Sequence, residues 1–267
     1  MRRFISLMYH NLGSGQENRY TVSEATFSQQ IRWLIDAGYI VEGFPELARR
    51  LVCQDIPSRY VVLSFDDGHR SNLHAAEILR STGAQATFFL THDYCRQRAD
   101  FLRDDEIKDL ASLCSVGSHG LSHAPLSRLG MPQLRSELAE SRAWLEDLIG
   151  KPVTTFSAPG GFISPAVLRL AWSLGYTMAG NSVEWWNEAA VVARTRLVNR
   201  VTIRQGMALQ SFIRAVEGAP SYLIGRRMRA SVLGLVKRVV PLQQYERLSQ
   251  SFYQAAAALT QQGRGDG

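Results

Sequence analysis

Cysteine is scarce in this chain and poorly spaced for any framework. Among 267 residues only Cys53, Cys95 and Cys114 occur, an odd number with no C-x-x-C pair. A disulfide scaffold and a zinc ribbon are both excluded, and buried free thiols are the expected reading. Long apolar runs are lacking too, since none approaches the roughly 18 residues of a membrane span. The basic opening Met1-Arg2-Arg3 leads into an apolar stretch that stops at Tyr9-His10-Asn11. That is short for an export signal, whose core runs about 7–15 residues, and no small-residue cleavage site follows. The expectation is a cytoplasmic protein with neither signal peptide nor transmembrane helix. Repeats and low-complexity linkers are also missing. With 45% apolar and 20% charged residues, the disordered and collagen-like classes are excluded, and a chain this long buries enough surface to need no staples.

Acidic residues run short in one place. Residues 191–267 hold 12 Lys and Arg against 3 Asp and Glu, whereas residues 1–190 hold 18 against 21. A basic face of this kind suits an acidic polymer, a membrane surface or simply solvent. No nucleic-acid partner is expected from it.

The dominant rhythm is a short apolar run followed by a helical pattern. Strands are predicted over Phe4–Tyr9, Tyr60–Phe65, Ala86–Leu90, Ser115–Ser118, Val153–Phe156, Tyr176–Ala179 and Leu197–Ile203. Helices are predicted after Ser23, a plausible N-cap, near Ser71–Arg80, and over Asp104–Leu113, Pro132–Ile149, Pro165–Leu174 and Met207–Val216. Alternation of this kind implies parallel pairing in an open α/β sheet or a closed α/β barrel, and about seven units favour the barrel. In either fold functional groups gather at the carboxyl ends of the strands. The pattern changes after Gly218. An apolar stripe of Ile224, Met228, Val232, Leu235 and Val239 is flanked by Arg226, Arg227, Arg229, Lys237 and Arg238, and a second helical stretch spans about Gln243–Leu259. Residues 1–218 are therefore read as the catalytic domain, and 219–267 as a basic amphipathic helical appendage suited to packing, a partner subunit or peripheral membrane contact.

Two motifs carry chemistry. Ser64-Phe65-Asp66-Asp67-Gly68 closes the second strand, and the turn at Gly68 lets both adjacent carboxylates reach one site. His119-Gly120-Leu121-Ser122-His123 follows the fourth strand. Two imidazoles four residues apart lie on one face if the segment turns helically, close enough to share a cation. One carboxylate added to that pair makes a His₂-carboxylate set with open positions, the arrangement of catalytic rather than structural metals. Taken alone, each motif is also compatible with surface acids, helix caps or structural histidines.

These motifs resemble those of the polysaccharide deacetylase family. Ser64-Phe65-Asp66-Asp67-Gly68 is similar to its T/S-F-D-D-G motif, His119-x-x-x-His123 to its H-S/T-x-x-H motif, and Phe156-Ser157-Ala158-Pro159-Gly160-Gly161 to its third motif. The resemblance covers roughly residues 1–205. It implies an irregular (β/α)7-like deacetylase barrel that removes N-acetyl groups from amino sugars. It further implies that Asp67, His119 and His123 hold one divalent ion, zinc above all, with cobalt, nickel or manganese as alternatives, and that Asp66 is the general base. A backbone N–H from the Pro159-Gly160-Gly161 turn would stabilise the oxyanion, unless those glycines serve only the turn. Apart from the resemblance, Trp185 and Trp186 suit either stacking on a sugar ring or packing in the core.

Two departures stand out. The third-motif arginine that pairs with the catalytic aspartate in the family is Ser157 here, which removes a downward pull on the Asp66 pKa of about 1–3 units. The late histidine that supplies the general acid is also missing, because no histidine follows His123. Leu7-Met8-Tyr9-His10 resembles the M-Y-H of a permuted branch in which the acid-bearing strand comes first. First and last strands are neighbours in a closed barrel, so His10 is the expected acid.

The resulting expectation is a metal-dependent hydrolase removing N-acetyl groups from an amino-sugar polysaccharide, a cell-surface or exported one, or from its precursor, in exopolysaccharide biosynthesis. Without an export signal, a lipid-linked precursor at the inner membrane face suits it better than a finished polymer. Alternatives are an amidohydrolase on a non-sugar amide, and a catalytically silent sugar-binding or scaffold relative, which Ser157 would motivate.

Overall fold

The computed structural model of the chain describes residues 2–13 and 18–228. Along the chain run β1 (Arg3–Tyr9), β2 (Asn11–Leu12), β3 (Thr21–Val22), α1 (Glu24–Asp36), β4 (Ile40–Glu42), α2 (Phe44–Cys53), β5 (Tyr60–Phe65), α3 (Asn72–Thr82), β6 (Thr87–Leu90), α4 (His92–Gln97), α5 (Asp104–Leu113) and β7 (Ser115–Ser118). They continue with α6 (Met131–Ile149), β8 (Thr155–Ser157), α7 (Pro165–Ser173), β9 (Met178–Gly180), β10 (Asn187–Glu188), α8 (Ala189–Thr195), β11 (Leu197–Val198), β12 (Val201–Thr202) and α9 (Leu209–Val216).

Strands β1, β5, β6, β7, β8 and β9 lie side by side in parallel, with β11 beyond β9. The seventh predicted strand is broken. Its first half, β11, pairs with β9, and its second half, β12, pairs with β1, Leu7 opposite Val201 and Met8 opposite Thr202. The two-residue break, Asn199-Arg200, carries the chain from one edge of the sheet to the other, which makes a nearly closed barrel of seven strands. Every residue of β5 is buried, as expected of a parallel strand covered on both faces. Helix boundaries follow local chemistry. The Ser23 hydroxyl accepts the Thr26 amide and starts α1, and Ser164 starts α7 by accepting the Val167 amide.

Elements between Gly38 and Tyr60 were not foreseen, because β4 is only three residues long and α2 opens on Phe44-Pro45 without a side-chain cap. Because the strands are parallel, Tyr9-His10, Phe65-Asp66-Asp67, Ser118-His119 and Ser157 all emerge at one end of the barrel. The chain divides at Gly218, with Met1–Gly218 forming the barrel unit and the remainder starting at Ala219. Residues 220–228 are helical. The rest of the expected appendage, including the Gln243–Leu259 stretch, lies outside the described residues. Among the described residues no helix is long and apolar enough to cross a membrane.

Candidate active site

Asp66 and Asp67 leave β5 in different directions because the backbone turns at once. The Asp66 amide is held by the Tyr9 carbonyl at 3.0 Å, and Asp67 takes a positive φ of 80°. The Asp66 side chain thereby drops into the barrel mouth, 3% exposed. Asp67 swings toward the loop after β7.

That loop does not turn helically, contrary to the simplest reading of the i, i+4 spacing. Gly120 and His123 both have positive φ, 82° and 63°, and this irregular path brings the two imidazoles together all the same, with ring centroids 5.1 Å apart. His119 Nδ1 faces the Ser157 carbonyl at 2.9 Å. A carbonyl only accepts, so Nδ1 carries the proton and Nε2 keeps its lone pair free. Nε2 of His119 lies 3.4 Å from Asp67 Oδ1, and Nε2 of His123 lies 3.3 Å from the same oxygen. His123 is stacked against Tyr94 at 5.2 Å, which fixes its plane.

Asp67 Oδ1 is buried and makes no hydrogen bond, although two imidazole nitrogens border it. Ligands about 2.0–2.2 Å from a tetrahedral zinc stand about 3.3–3.6 Å from one another, and the two observed separations fall in that range. Asp67, His119 and His123 are the one cluster of metal-ligand side chains among the described residues, with ligand atoms all within 4.8 Å of one another. Their donor set, one carboxylate and two imidazoles, fits a borderline divalent ion. The local field agrees. Burial alone would raise the Asp67 carboxyl, but the adjoining imidazoles hold it well below the ordinary value. His119 is pushed down by burial and up by Asp66 and Asp67, and the upward pull wins.

The missing third-motif arginine has a replacement that sequence reasoning did not find. Arg200, in the break between β11 and β12, is wholly buried. Its Nη1 and Nη2 donate to Asp66 Oδ1 and Oδ2 at 2.7 and 2.8 Å, a bidentate pair. Nη2 also reaches Ser157 Oγ at 2.6 Å, Nη1 reaches Ser64 Oγ at 3.2 Å, and Nε donates to the Asn181 carbonyl at 2.9 Å. Ser157 itself donates to Asp66 Oδ2 at 3.0 Å. The small serine thus leaves room for a guanidinium arriving from a different strand. The expectation that Asp66 loses its downward pull is corrected: burial would raise its pKa, but the Arg200 charge outweighs this and holds the carboxyl below its ordinary value. The signal was present as a lone charge inside the predicted strand Leu197–Ile203.

His10 ends β1 at the same mouth. Its ring stacks on Tyr20 at 4.4 Å, its carbonyl accepts from Asn72 Nδ2 at 2.8 Å, and its Nδ1 is buried without a partner. Burial lowers its pKa, opposed by the charges of Asp67 and Asp66. The Pro159-Gly160-Gly161 turn stands beside Gly120, whose Cβ position lies 3.9 Å from the Pro159 ring. Proline has no N–H, and the Gly161 amide is committed to the Ala158 carbonyl at 2.8 Å. Of the three expected residues, only Gly160 therefore remains as an oxyanion donor. Trp185 lies in the segment between β9 and β10. It packs on Trp186 at 4.0 Å, and Trp186 lies under Arg3 at 4.8 Å, at the far end of β1 from Tyr9. The physical reason is that the chain after β9 runs back along the barrel to pair β10 antiparallel with β1.

Comparison with known proteins agrees with this geometry. Residues 54–179, which include both acidic and histidine motifs, match the family model of the polysaccharide deacetylases. That match spans 126 of the chain's 267 residues. Over 212 residues it is 28% identical to YxkH of Bacillus subtilis, whose name assigns it provisionally to the polysaccharide deacetylases; the match covers 77% of this chain and 73% of that one. Over 129 residues it is 26% identical to a peptidoglycan-N-acetylglucosamine deacetylase of Bacillus cereus, covering 47% of this chain and 58% of the relative. Among solved structures, the Streptococcus pyogenes deacetylase PplD in complex with acetate superposes with a TM-score of 0.73 at 22% identity, over 80% of this chain and 98% of that one. That likeness shows the deacetylase fold, a nearly closed α/β barrel.

Proposed function

We propose that this chain is a divalent-metal-dependent N-deacetylase acting on N-acetylated amino-sugar polymers or oligosaccharides. One observation carries the reading. Asp67 Oδ1, buried and without a hydrogen bond, stands 3.3 and 3.4 Å from two imidazole nitrogens, beside a second carboxylate already held ionised. Bound at that cluster, a divalent cation supplies Lewis acidity, both to the attacking water and to the acetamide oxygen.

The chain's own groups supply the rest. A carboxylate has about four lone-pair positions. Arg200 and Ser157 occupy three of those on Asp66, which leaves one to take a proton from water as it adds to the acetamide carbon. The carbonyl oxygen takes the negative charge, and the Gly160 amide is the proposed backbone donor that stabilises it. When the tetrahedral species collapses, the C–N bond breaks and His10 gives a proton to the departing amine, so that acetate and a free amino sugar leave. His10 arriving from the first strand supports the permuted-branch reading, since β1 and β12 are paired neighbours. Relatives named for peptidoglycan N-acetylglucosamine and chitin support an N-acetylglucosamine polymer as substrate. A precursor at the inner membrane face, reached through 219–267, remains the proposed setting.

The test is acetate release from N-acetylglucosamine oligomers, with zinc, cobalt, nickel or manganese supplied after chelation. Asp66→Asn and His10→Ala should each lower the rate by about 10²–10⁴-fold. Full activity in the His10 variant removes the acid assignment alone. Absence of acetate from every amino sugar, with metal bound, removes the deacetylase reading.

A further inference from the structure

Helix α6 carries a buried carboxylate that the reaction does not use. Glu137 is 7% exposed and reaches the loop between the two histidines. Its Oε2 accepts the amides of Leu121 and Ser122 at 2.7 and 3.2 Å, and its Oε1 accepts the Ser122 hydroxyl. The Gly120 amide is taken by Ser118 Oγ at 3.1 Å, and that hydroxyl bonds Ser141 of the same helix at 2.7 Å. From the other side, the Gly120 and Leu121 carbonyls accept the amides of His92 and Asp93 at 3.2 and 2.9 Å. Gly120 is what lets the carboxylate in, since a Cβ there would stand 2.8 Å from Glu137 Oε2 on a backbone of positive φ.

Three consecutive residues between His119 and His123 are thus clamped through their amides, and two of them through their carbonyls as well. His123 needs this. A non-glycine residue at positive φ costs about 1–3 kcal/mol and persists only where its surroundings over-determine it. Glu137 also has no cationic partner among the described residues, so burying its charge is unfavourable except for these donors. A helix that needed only a loop contact could offer an apolar side chain instead. We propose that Glu137 is a positioning residue for the cation cluster: by clamping residues 121 and 122 it presets the His119 and His123 nitrogens and so sets the affinity for a divalent ion. The proposal rests on the metal reading above.

The test uses the full chain, with cobalt titrated against a chromophoric chelator and followed by its visible absorption. Glu137→Gln should weaken cobalt binding by about 10–100-fold, as loss of groups that orient metal ligands does, and should alter the absorption bands. Leu138→Ala is the control for a merely structural role. It removes a fully buried neighbour on the same helix, and it should lower the melting temperature while leaving cobalt affinity and spectrum at wild-type values. Wild-type affinity and spectrum in Glu137→Gln overturn the proposal, as does an equal loss in Leu138→Ala. If Glu137→Gln does not fold, Ser122→Ala decides. It removes one donor from an exposed residue, and a several-fold weakening is expected, whereas unchanged affinity overturns the idea. A wild-type chain that takes up no cobalt overturns the metal reading and this proposal together. Wild-type binding that Glu137→Gln fully retains overturns only this proposal.

Discussion

A guanidinium buried to its last atom needs a reason, and for Arg200 the reason is Asp66. Each would be costly to bury alone, and together they satisfy one another in bidentate geometry, with Ser157, Ser64 and the Asn181 carbonyl taking remaining positions. Removing one partner strands the other. Arg200→Met should therefore cost about 3–5 kcal/mol of stability, read by denaturant unfolding, and should abolish most acetate release. Arg200→Lys keeps the charge without the fork and should fall between. If Arg200→Met in an Asp66→Asn background costs as much again, the two residues are not coupled and the pair is incidental. The thiols make a second expectation at this scale. Burial raises Cys95 to about 12 and Cys114 to about 11, while Cys53 is exposed. Because the thiolate is the reactive form, iodoacetamide near pH 8 should label Cys53 alone in the native chain and all three in guanidinium. Prompt labelling of Cys95 would contradict its burial.

At the scale of elements, sequence periodicity located nearly every barrel strand and the helices that follow them, because burial on both faces leaves continuous apolar runs and three-and-four spacing survives in α1, α5 and α6. It also placed the acidic pair and the histidine pair at strand ends, where parallel topology makes them converge. What escaped it was set by tertiary contacts. The closing strand breaks at Asn199-Arg200 because Arg200 must turn inward to Asp66, and no local propensity announces that. The clamp of Glu137 on the histidine loop is invisible for the same reason, since Glu137 sits among the surface-like polar residues of α6 in sequence. The path of the segment from β9 to β10, which carries Trp185 and Trp186, is likewise set by its pairing with β1. The turn after β8 shows how far a short element can be constrained. Gly161 has a φ of 75°, and a Cβ there would stand 2.5 Å from the Ser182 side chain and 2.7 Å from its backbone nitrogen. Gly161→Ala must therefore move one loop against another as well as pay for a strained φ. It should lower stability by more than the roughly 1 kcal/mol of an unobstructed glycine replacement and should reduce acetate release. A variant with wild-type melting and rate would show that the two loops yield freely.

For the molecule as a whole, the nearly closed barrel explains how residues 10, 66, 67, 119, 123, 157 and 200 come together at one mouth. Each sits at or beyond the carboxyl end of a strand or in the closing break, so the hydrogen-bonded ring of strands fixes their mutual distances before any ligand arrives. Coupling between the cation and the fold follows from this. An ion that binds the folded chain and not the unfolded one stabilises it by about 2.7 kcal/mol when present at 100 times its dissociation constant. Zinc or cobalt should accordingly raise the melting temperature, and His119→Ala should remove the rise. The proposed ligands all belong to the unit ending at Gly218, whereas the excess of basic residues continues to the end of the chain. If 219–267 serves location rather than chemistry, a protein ended at Gly218 should show the same metal-induced rise in melting temperature as the full chain, whatever its starting value. It should also partition less onto vesicles containing anionic lipid, measured by co-sedimentation at low and physiological salt. Loss of the metal-induced rise would tie the appendage to the site, and equal sedimentation of the two forms would end its assignment to a membrane surface.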